Sequence, residues 1–343
     1  MRTNSAAAAF ALASLFSGAA LADGTVNIYT YRQPELIQPV LDAFTAETGI
    51  KTEVLFLDKG LAERVAAEGQ NSPVDVIMTV DISRLTAAKE AGITQALNDE
   101  TINGLLPAEY RDPEGHWFGL TKRARVVYAS KDRVTDTAIT YADLADPKWK
   151  GKICMRSGQH DYNLALISAA IAHWSPEKTE AWLTGLKANL GRKPDGGDRP
   201  QAGAIVAGEC DIALGNTYYV GLMRTNEKDP KEKEWGNAIN VIFPTFENGL
   251  THVNISGAAL AKNAPNRENG VKLIQFLAGH KAQQIYAEAN YEYPVEPGLE
   301  PSEMVKSFGE LKADTLPLAE IASHRKAASE MVDRVGLDDG PSS

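Results

Sequence analysis

The sequence predicts an α/β protein folded as two lobes around a ligand cleft, the lobes joined by crossover strands that act as a hinge. Three observations carry this expectation. The chain has 343 residues, room for about two domains. Short apolar runs alternate with stretches of helical spacing along most of it. That is the pattern of repeated β-α-β units, a mostly parallel sheet with helices on both faces. No internal repeat and no long linker divide the chain, so the lobes share more than one crossover. Ligands of open α/β sheets bind beyond the carboxyl ends of strands. Two lobes can turn those ends toward one cleft that closes by hinge motion.

The elements follow in order. Residues 1–22 read as a secretory leader: Arg2, a small apolar run over 6–20, and Ala20-Leu21-Ala22 before Asp23, with cleavage after Ala22. The run falls short of the about 20 strongly apolar residues of a membrane span, and no later segment approaches one, so no membrane insertion is expected. In a bacterium-like setting the exported chain is periplasmic. Residues 26–31 read as a strand. Residues 35–48 read as a helix with Leu36, Val40, Leu41 and Phe44 at helical spacing, stopped by Gly49. Strands over 51–56 and 75–80 and helices over 60–68 and 82–91 continue the alternation. The pattern shifts near Phe118. Residues 125–130 and 152–156 are β-rich, and 162–174 and 177–190 are helical. Residues 191–200, with two Pro and three Gly, read as a loop. A helix over 202–209, a strand over 211–214 and a helix from 217 to 224 follow. A strand over 254–262, a helix over 269–288 and final helices within 301–335 complete the order. This gives an N-lobe of 23–123 and 246–296, a C-lobe of 124–245 and 297–335, and a frayed tail at 336–343.

Composition excludes several functions. Lys plus Arg is 35 and Asp plus Glu is 45, a net charge of −10, whereas nucleic-acid binding needs a basic surface. Two cysteines are too few for a thiolate zinc site or an iron–sulfur cluster. In an oxidising compartment one Cys154–Cys210 disulfide is the simplest reading, with two buried thiols as the alternative. The chain carries no G-x-S-x-G, P-loop, G-x-G-x-x-G or H-E-x-x-H pattern. Its six histidines form no pair at helical ligand spacing. No enzyme is expected.

Tyrosine placement stands out instead. Gly215-Asn216-Thr217-Tyr218-Tyr219 follows the strand over 211–214, with Thr217 as a candidate N-cap. Neighbours on a strand face opposite sides, but at a helix start they lie about 100° apart and can converge. Tyr162 stands at a second strand-to-helix junction. Cys154 and Cys210 each precede one of these junctions by eight residues, so a disulfide would hold the junctions in register. A phenolate is a hard anionic donor, better suited to a highly charged cation than to Zn²⁺ or Cu⁺. Tyr titrates near about 10, so only such a cation deprotonates three phenols at neutral pH; ferric iron is the obvious candidate. Spacing alone leaves open stacking on a sugar or an ammonium ligand, and plain packing.

Several stretches together resemble one family: Val26-Asn27-Ile28-Tyr29-Thr30-Tyr31-Arg32-Gln33-Pro34, Asp58-Lys59-Gly60-Leu61, Thr79-Val80-Asp81-Ile82-Ser83-Arg84, and Trp117 through Val126. Arg192-Lys193-Pro194, Gly196-Gly197-Asp198-Arg199, Gly215 through Tyr219, and Asn254-Ile255-Ser256-Gly257 extend it over essentially the whole exported chain. The chain resembles the periplasmic ferric-iron-binding proteins of ABC transporters, which have the class II-type periplasmic binding protein fold. It looks most like the subgroup that uses three tyrosines and a carbonate-type anion.

The resemblance implies that Tyr162, Tyr218 and Tyr219 are the Fe(III) ligands, with carbonate or bicarbonate as synergistic anion. Other members of the wider family carry a His and a Tyr after the first strand's Arg; here Gln33 and Pro34 stand there, so no ligand is expected from the first strand. Arg32 and Gln33, at that strand's carboxyl end, are expected to bind the anion, because a guanidinium takes a planar oxyanion through two parallel hydrogen bonds. Arg123 and Arg125, near the crossover, are expected to serve similarly; for each of the three arginines a surface or interlobe salt bridge is the alternative. Tyr31 is expected to line the cleft, His160 to stand beside the site, and Asp198 and Arg199 to organise the loop behind it. The implied protein is a monomer that delivers iron to an inner-membrane permease. A binder of the same fold for a sugar, polyamine or thiamine is the rival reading.

Overall fold

The computed structural model describes residues 24–341. The expected leader lies outside the described residues. The chain opens with β1 (Thr25–Thr30), α1 (Pro34–Thr48) and β2 (Lys51–Phe56). Pro34 suits the first turn of α1 because its fixed φ is already helical. Leu36, Ile37, Val40, Leu41 and Phe44 form its buried stripe, and Gly49 ends it at φ 75°, a conformation that favours glycine. Then come α2 (Leu61–Glu68), β3 (Val76–Thr79), α3 (Ile82–Glu90) and α4 (Glu100–Leu105). Asp81 caps α3 by accepting from Ser83 N at 2.7 Å. The short α4 is capped by Asp99, which accepts from Ile102 N at 3.0 Å, and Ile102 is its one buried side chain.

The second half holds β4 (Phe118–Ser130), β5 (Ile153–Cys154), α5 (Asp161–His173), α6 (Pro176–Ala188) and α7 (Asp198–Val206). After these come β6 (Ile212–Asn216), α8 (Thr217–Arg224), α9 (Pro230–Asn237), β7 (Ile239–Ile242) and β8 (Val253–Leu260). The chain closes with α10 (Arg267–Ala278), α11 (His280–Ala289), β9 (Tyr293–Pro294), α12 (Glu303–Lys306), α13 (Leu318–Ser323) and α14 (Arg325–Val335). Three expectations shift. The loop expected to reach Pro200 ends earlier, because Pro200 falls in the first turn of α7, where proline is tolerated. The single helix expected over 269–288 is two, since Gly279 is extended at φ −78°, ψ 160°. The strand expected from 125 begins at Phe118, because the Lys122, Arg123 and Arg125 side chains interrupt an apolar pattern that the backbone does not.

The sheet runs in the order β2-β1-β3-β8-β4-β6-β5, with β7 and β9 also paired to β4. It is mixed rather than mostly parallel. β1 pairs parallel with β2 and β3, and β5 with β6. β8 is antiparallel to β3 and β4, and β6, β7 and β9 are antiparallel to β4. Helical crossovers supply the parallel pairs at the two ends. A chain that leaves one lobe and returns must run its connecting strands in opposite directions, and that makes the middle antiparallel. β4 has 13 residues, a reach of about 43 Å. Its first half pairs with β8 and its second half with β6 and β7, so one strand spans the two-lobed fold.

Apolar packing has three centres. One gathers β1, α1 and α10 through Ile28, Phe44 and Leu273. One lies under the second half of β4 around Val126, Tyr128 and Val220. The third joins Leu85 to Leu166 and Met331. Cys154 and Cys210 form the expected disulfide, Cα atoms 5.8 Å apart. The tail expected to fray is packed as far as Gly340. Leu337 is buried, and Asp338 accepts from Ser157 Oγ at 2.5 Å and Gly158 N at 2.6 Å.

Candidate metal centre

The centre lies where β5 and β6 hand over to α5 and α8. α8 begins at Thr217, so Asn216 holds the N-cap place expected for Thr217. Thr217 Oγ1 instead accepts from Ala124 N at 3.3 Å. Tyr218 and Tyr219 fall in the first helical turn, their ring centroids 4.2 Å apart. In α5 the cap is His160, whose Nδ1 accepts from Tyr162 N at 3.2 Å. The two junctions bring Tyr162 Oη within 3.2 Å of Tyr218 Oη. All three tyrosines line one cleft, with Arg32, Gln33 and Arg156 among its other walls. Tyr31 lines it as expected, its phenol oxygen accepting from Leu61 N at 2.9 Å.

Burial pushes the Tyr218 phenol far above its ordinary value, and the Tyr162 and Tyr219 phenols add to the rise. Burial, then Tyr162 and Asp198, raise Tyr219 as well. An empty centre therefore holds neutral phenols at Tyr218 and Tyr219, and a cation must displace their protons. Burial and then Arg156 pull His160 down to about 3, which keeps its ring free to accept from Tyr162 N.

The arginines differ in what they hold. Arg32 is buried and ion-paired with buried Glu292, its guanidinium carbon 6.0 Å from the Tyr218 ring centroid. Arg123 is fully buried behind the cleft rather than lining it, 5.4 Å from the Tyr162 ring, and neither terminal nitrogen has a protein partner among the described residues. Arg125 departs from the expected anion role. All three of its nitrogens are taken by Asn163, Asp198 and Asn216, and it does not line the cleft. Arg156, which sequence reasoning missed, lines the cleft 5.2 Å from the Tyr162 ring and pairs with Asp198 at 3.4 Å. Asp198 does organise the floor. Burial alone would raise its carboxyl, but Arg125 and Arg156 more than offset that and hold it below the ordinary carboxylate value. Arg199 lies 5.5 Å from the Tyr219 ring and is paired with Glu232 at 3.0 Å.

The cleft encloses about 190 Å³, below the roughly 300 Å³ at which pockets for larger organic ligands begin. Among the described residues no cluster of three or more His, Cys, Asp or Glu can hold a metal ion. A metal bound here would rest on the phenols. Among the described residues no helix is long and apolar enough to cross a membrane.

The family described as bacterial extracellular solute-binding protein matches residues 29–284. The iron uptake protein A1 of Synechocystis sp. is 41% identical over 314 residues, 91% of this chain and 87% of that one. The apo ferric ion-binding protein A of Pasteurella haemolytica is similar in structure, with a TM-score of 0.88 at 50% identity, covering 92% of this chain and 98% of the other. A Trichodesmium protein solved with iron and citrate ligands gives a TM-score of 0.85 at 40% identity, covering 92% and 100%. A two-lobed α/β fold, a cleft where strands hand over to helices, and a family match over most of the chain lead to one conclusion: the chain belongs to the bacterial extracellular solute-binding proteins.

Proposed function

We propose that the protein binds ferric iron in the periplasm through Tyr162, Tyr218 and Tyr219 with a carbonate or bicarbonate anion, and delivers it to the permease of an ABC transporter. One observation carries the reading: three phenols from two helix starts converge in a cleft walled by guanidinium groups. Three phenolates neutralise Fe³⁺ and leave coordination positions for an oxyanion. Arg32 and Gln33, which face the cleft, and Arg123, whose terminal nitrogens lack protein partners, are its candidate donors. Ferrous iron carries one charge less and binds phenolates more weakly. The protein performs no covalent chemistry and works as a monomer, exported by its leader. The proposed lobes are 23–123 with 246–296, holding the anion, and 124–245 with 297–335, holding the tyrosines. The two-sided pairing of β4 supports that division.

The iron-named relatives support the metal. Titration with ferric nitrilotriacetate in bicarbonate buffer tests the reading. A visible phenolate-to-iron absorption band is expected, and Tyr218→Phe should lose most of it and bind iron at least about tenfold more weakly. A colourless parent, or a Tyr218→Phe variant as tight as the parent, rejects it. Repeating the titration without CO₂, with citrate added, separates the small anion from the larger one.

A further inference from the structure

We infer that Arg125 is the positioning residue of the centre: its guanidinium spans the two helix starts that carry the phenols and fixes their separation. Arg125 stands on β4 directly opposite Asn216, the residue that ends β6. Its Nε and Nη2 donate to Asn163 Oδ1 at 3.1 and 2.8 Å. Its Nη1 donates to Asp198 Oδ2 at 2.6 Å and to Asn216 Oδ1 at 3.1 Å. Asn163 is the neighbour of Tyr162, and Asn216 precedes Tyr218 by two positions.

The Asn163 and Asp198 contacts are fastened from behind, whereas Asn216 Nδ2 has no partner among the described residues. Asn163 Nδ2 donates to the carbonyls of Arg156 and Ser157 at 3.1 and 2.9 Å, which closes the junction loop before Tyr162. Asp198 Oδ2 also accepts from Asn216 N at 3.0 Å. The Arg125 carbonyl accepts from Tyr141 Oη at 2.7 Å. All four members of the cluster are at most 2% exposed. Only a planar fork of donors in fixed directions reaches an amide oxygen on one helix and a carboxylate on the other side; a lysine ammonium would serve one of them. The disulfide joins the last residue of β5, Cys154, to Cys210 just before β6, and Arg125 joins the helix starts that carry the phenols.

This role rests on the iron reading above, and the test separates the two. Arg125→Lys keeps the charge and loses the fork. Arg125→Gln combined with Asp198→Asn removes both charges, so no unpaired carboxylate is left buried. Leu183→Ala, in α6 and away from the centre, lowers stability by packing alone. Each protein is loaded with ferric nitrilotriacetate in bicarbonate buffer, then challenged with EDTA, and the iron-free forms are melted. Both Arg125 proteins are expected to bind iron about 10- to 100-fold more weakly, the range for groups that orient metal ligands, and to shift the absorption maximum. Leu183→Ala is expected to melt lower with its band unmoved. If Arg125→Lys does not fold, the double variant decides. A coloured parent whose folded Arg125 variants match it in affinity and band position overturns the positioning role alone. A colourless parent overturns the iron reading and this role with it.

Discussion

At the scale of single residues, burial sets protonation. His252 is buried just before β8, its carbonyl accepting from Arg125 N at 3.2 Å and its Nδ1 without a protein partner among the described residues. Burial pulls its imidazole from 6.5 down to about 3; Asp314 opposes the fall, and Arg123 and Arg125 add to it. The folded value lies below the unfolded one, so the unfolded chain takes the proton first. The contribution of the neutral ring is whole above about pH 6.5 and drains away as pH falls toward 3. The melting temperature of the iron-free protein is expected to drop between about pH 7 and pH 5, and His252→Gln should remove part of that drop. Identical slopes in both proteins would reject the assignment. The three tyrosines were legible because each follows a visible strand run and opens a visible helical pattern. Glu292 was not, since it meets Arg32 across 260 residues with no local mark. Arg125 is legible as a strand residue, but the three partners that occupy its guanidinium leave no local mark in the sequence.

At the scale of elements, β5 and β6 are the rails on which the two junctions ride. β5 has only two residues, too few to hold register by its ladder alone. The Cys154–Cys210 bond closes a separation of 56 residues, for which chain entropy gives roughly 4 kcal/mol. Replacing both cysteines by alanine is expected to lower stability by about that amount in denaturant melts. A change below about 1 kcal/mol would show that packing alone holds the rails. Helices with a clean apolar stripe, such as α1, were readable from spacing. α9 was not, because its only buried residue is Gly236. The first half of β4 was hidden by charge: Lys122 and Arg123 interrupt it, Arg123 is fully buried, and a periodicity argument expects charge outside.

At the scale of the whole molecule, helices distant in the chain have a visible fastening. Arg84 on α3 donates to Asp161 Oδ2 at 2.6 Å, Arg325 on α14 donates to Oδ1 at 2.7 Å, and Arg84 lies 3.8 Å over the Tyr31 ring. In the proposed division this joins the first lobe to the second at the residue next to Tyr162. The Arg84 side chain keeps 24% of its exposure, so the pair contributes about 1 kcal/mol. Arg84→Ala is expected to speed iron release about fivefold and to enlarge the radius of gyration in solution scattering, with the melting temperature little changed. Unchanged release would mean that the cleft is held elsewhere. The two-lobed plan itself was legible from the alternation of elements. The mixed sheet was not, because strand direction in the middle depends on where the chain returns, which no local pattern records.

The packing of the segment that follows α14 has a consequence for the Tyr162 junction. Asp338 grips the loop that mounts Tyr162, and Leu337 is sealed beneath it. The segment after the last helix thus acts as a strap across the mount of Tyr162, and Asp338→Ala cuts that strap without removing a core side chain.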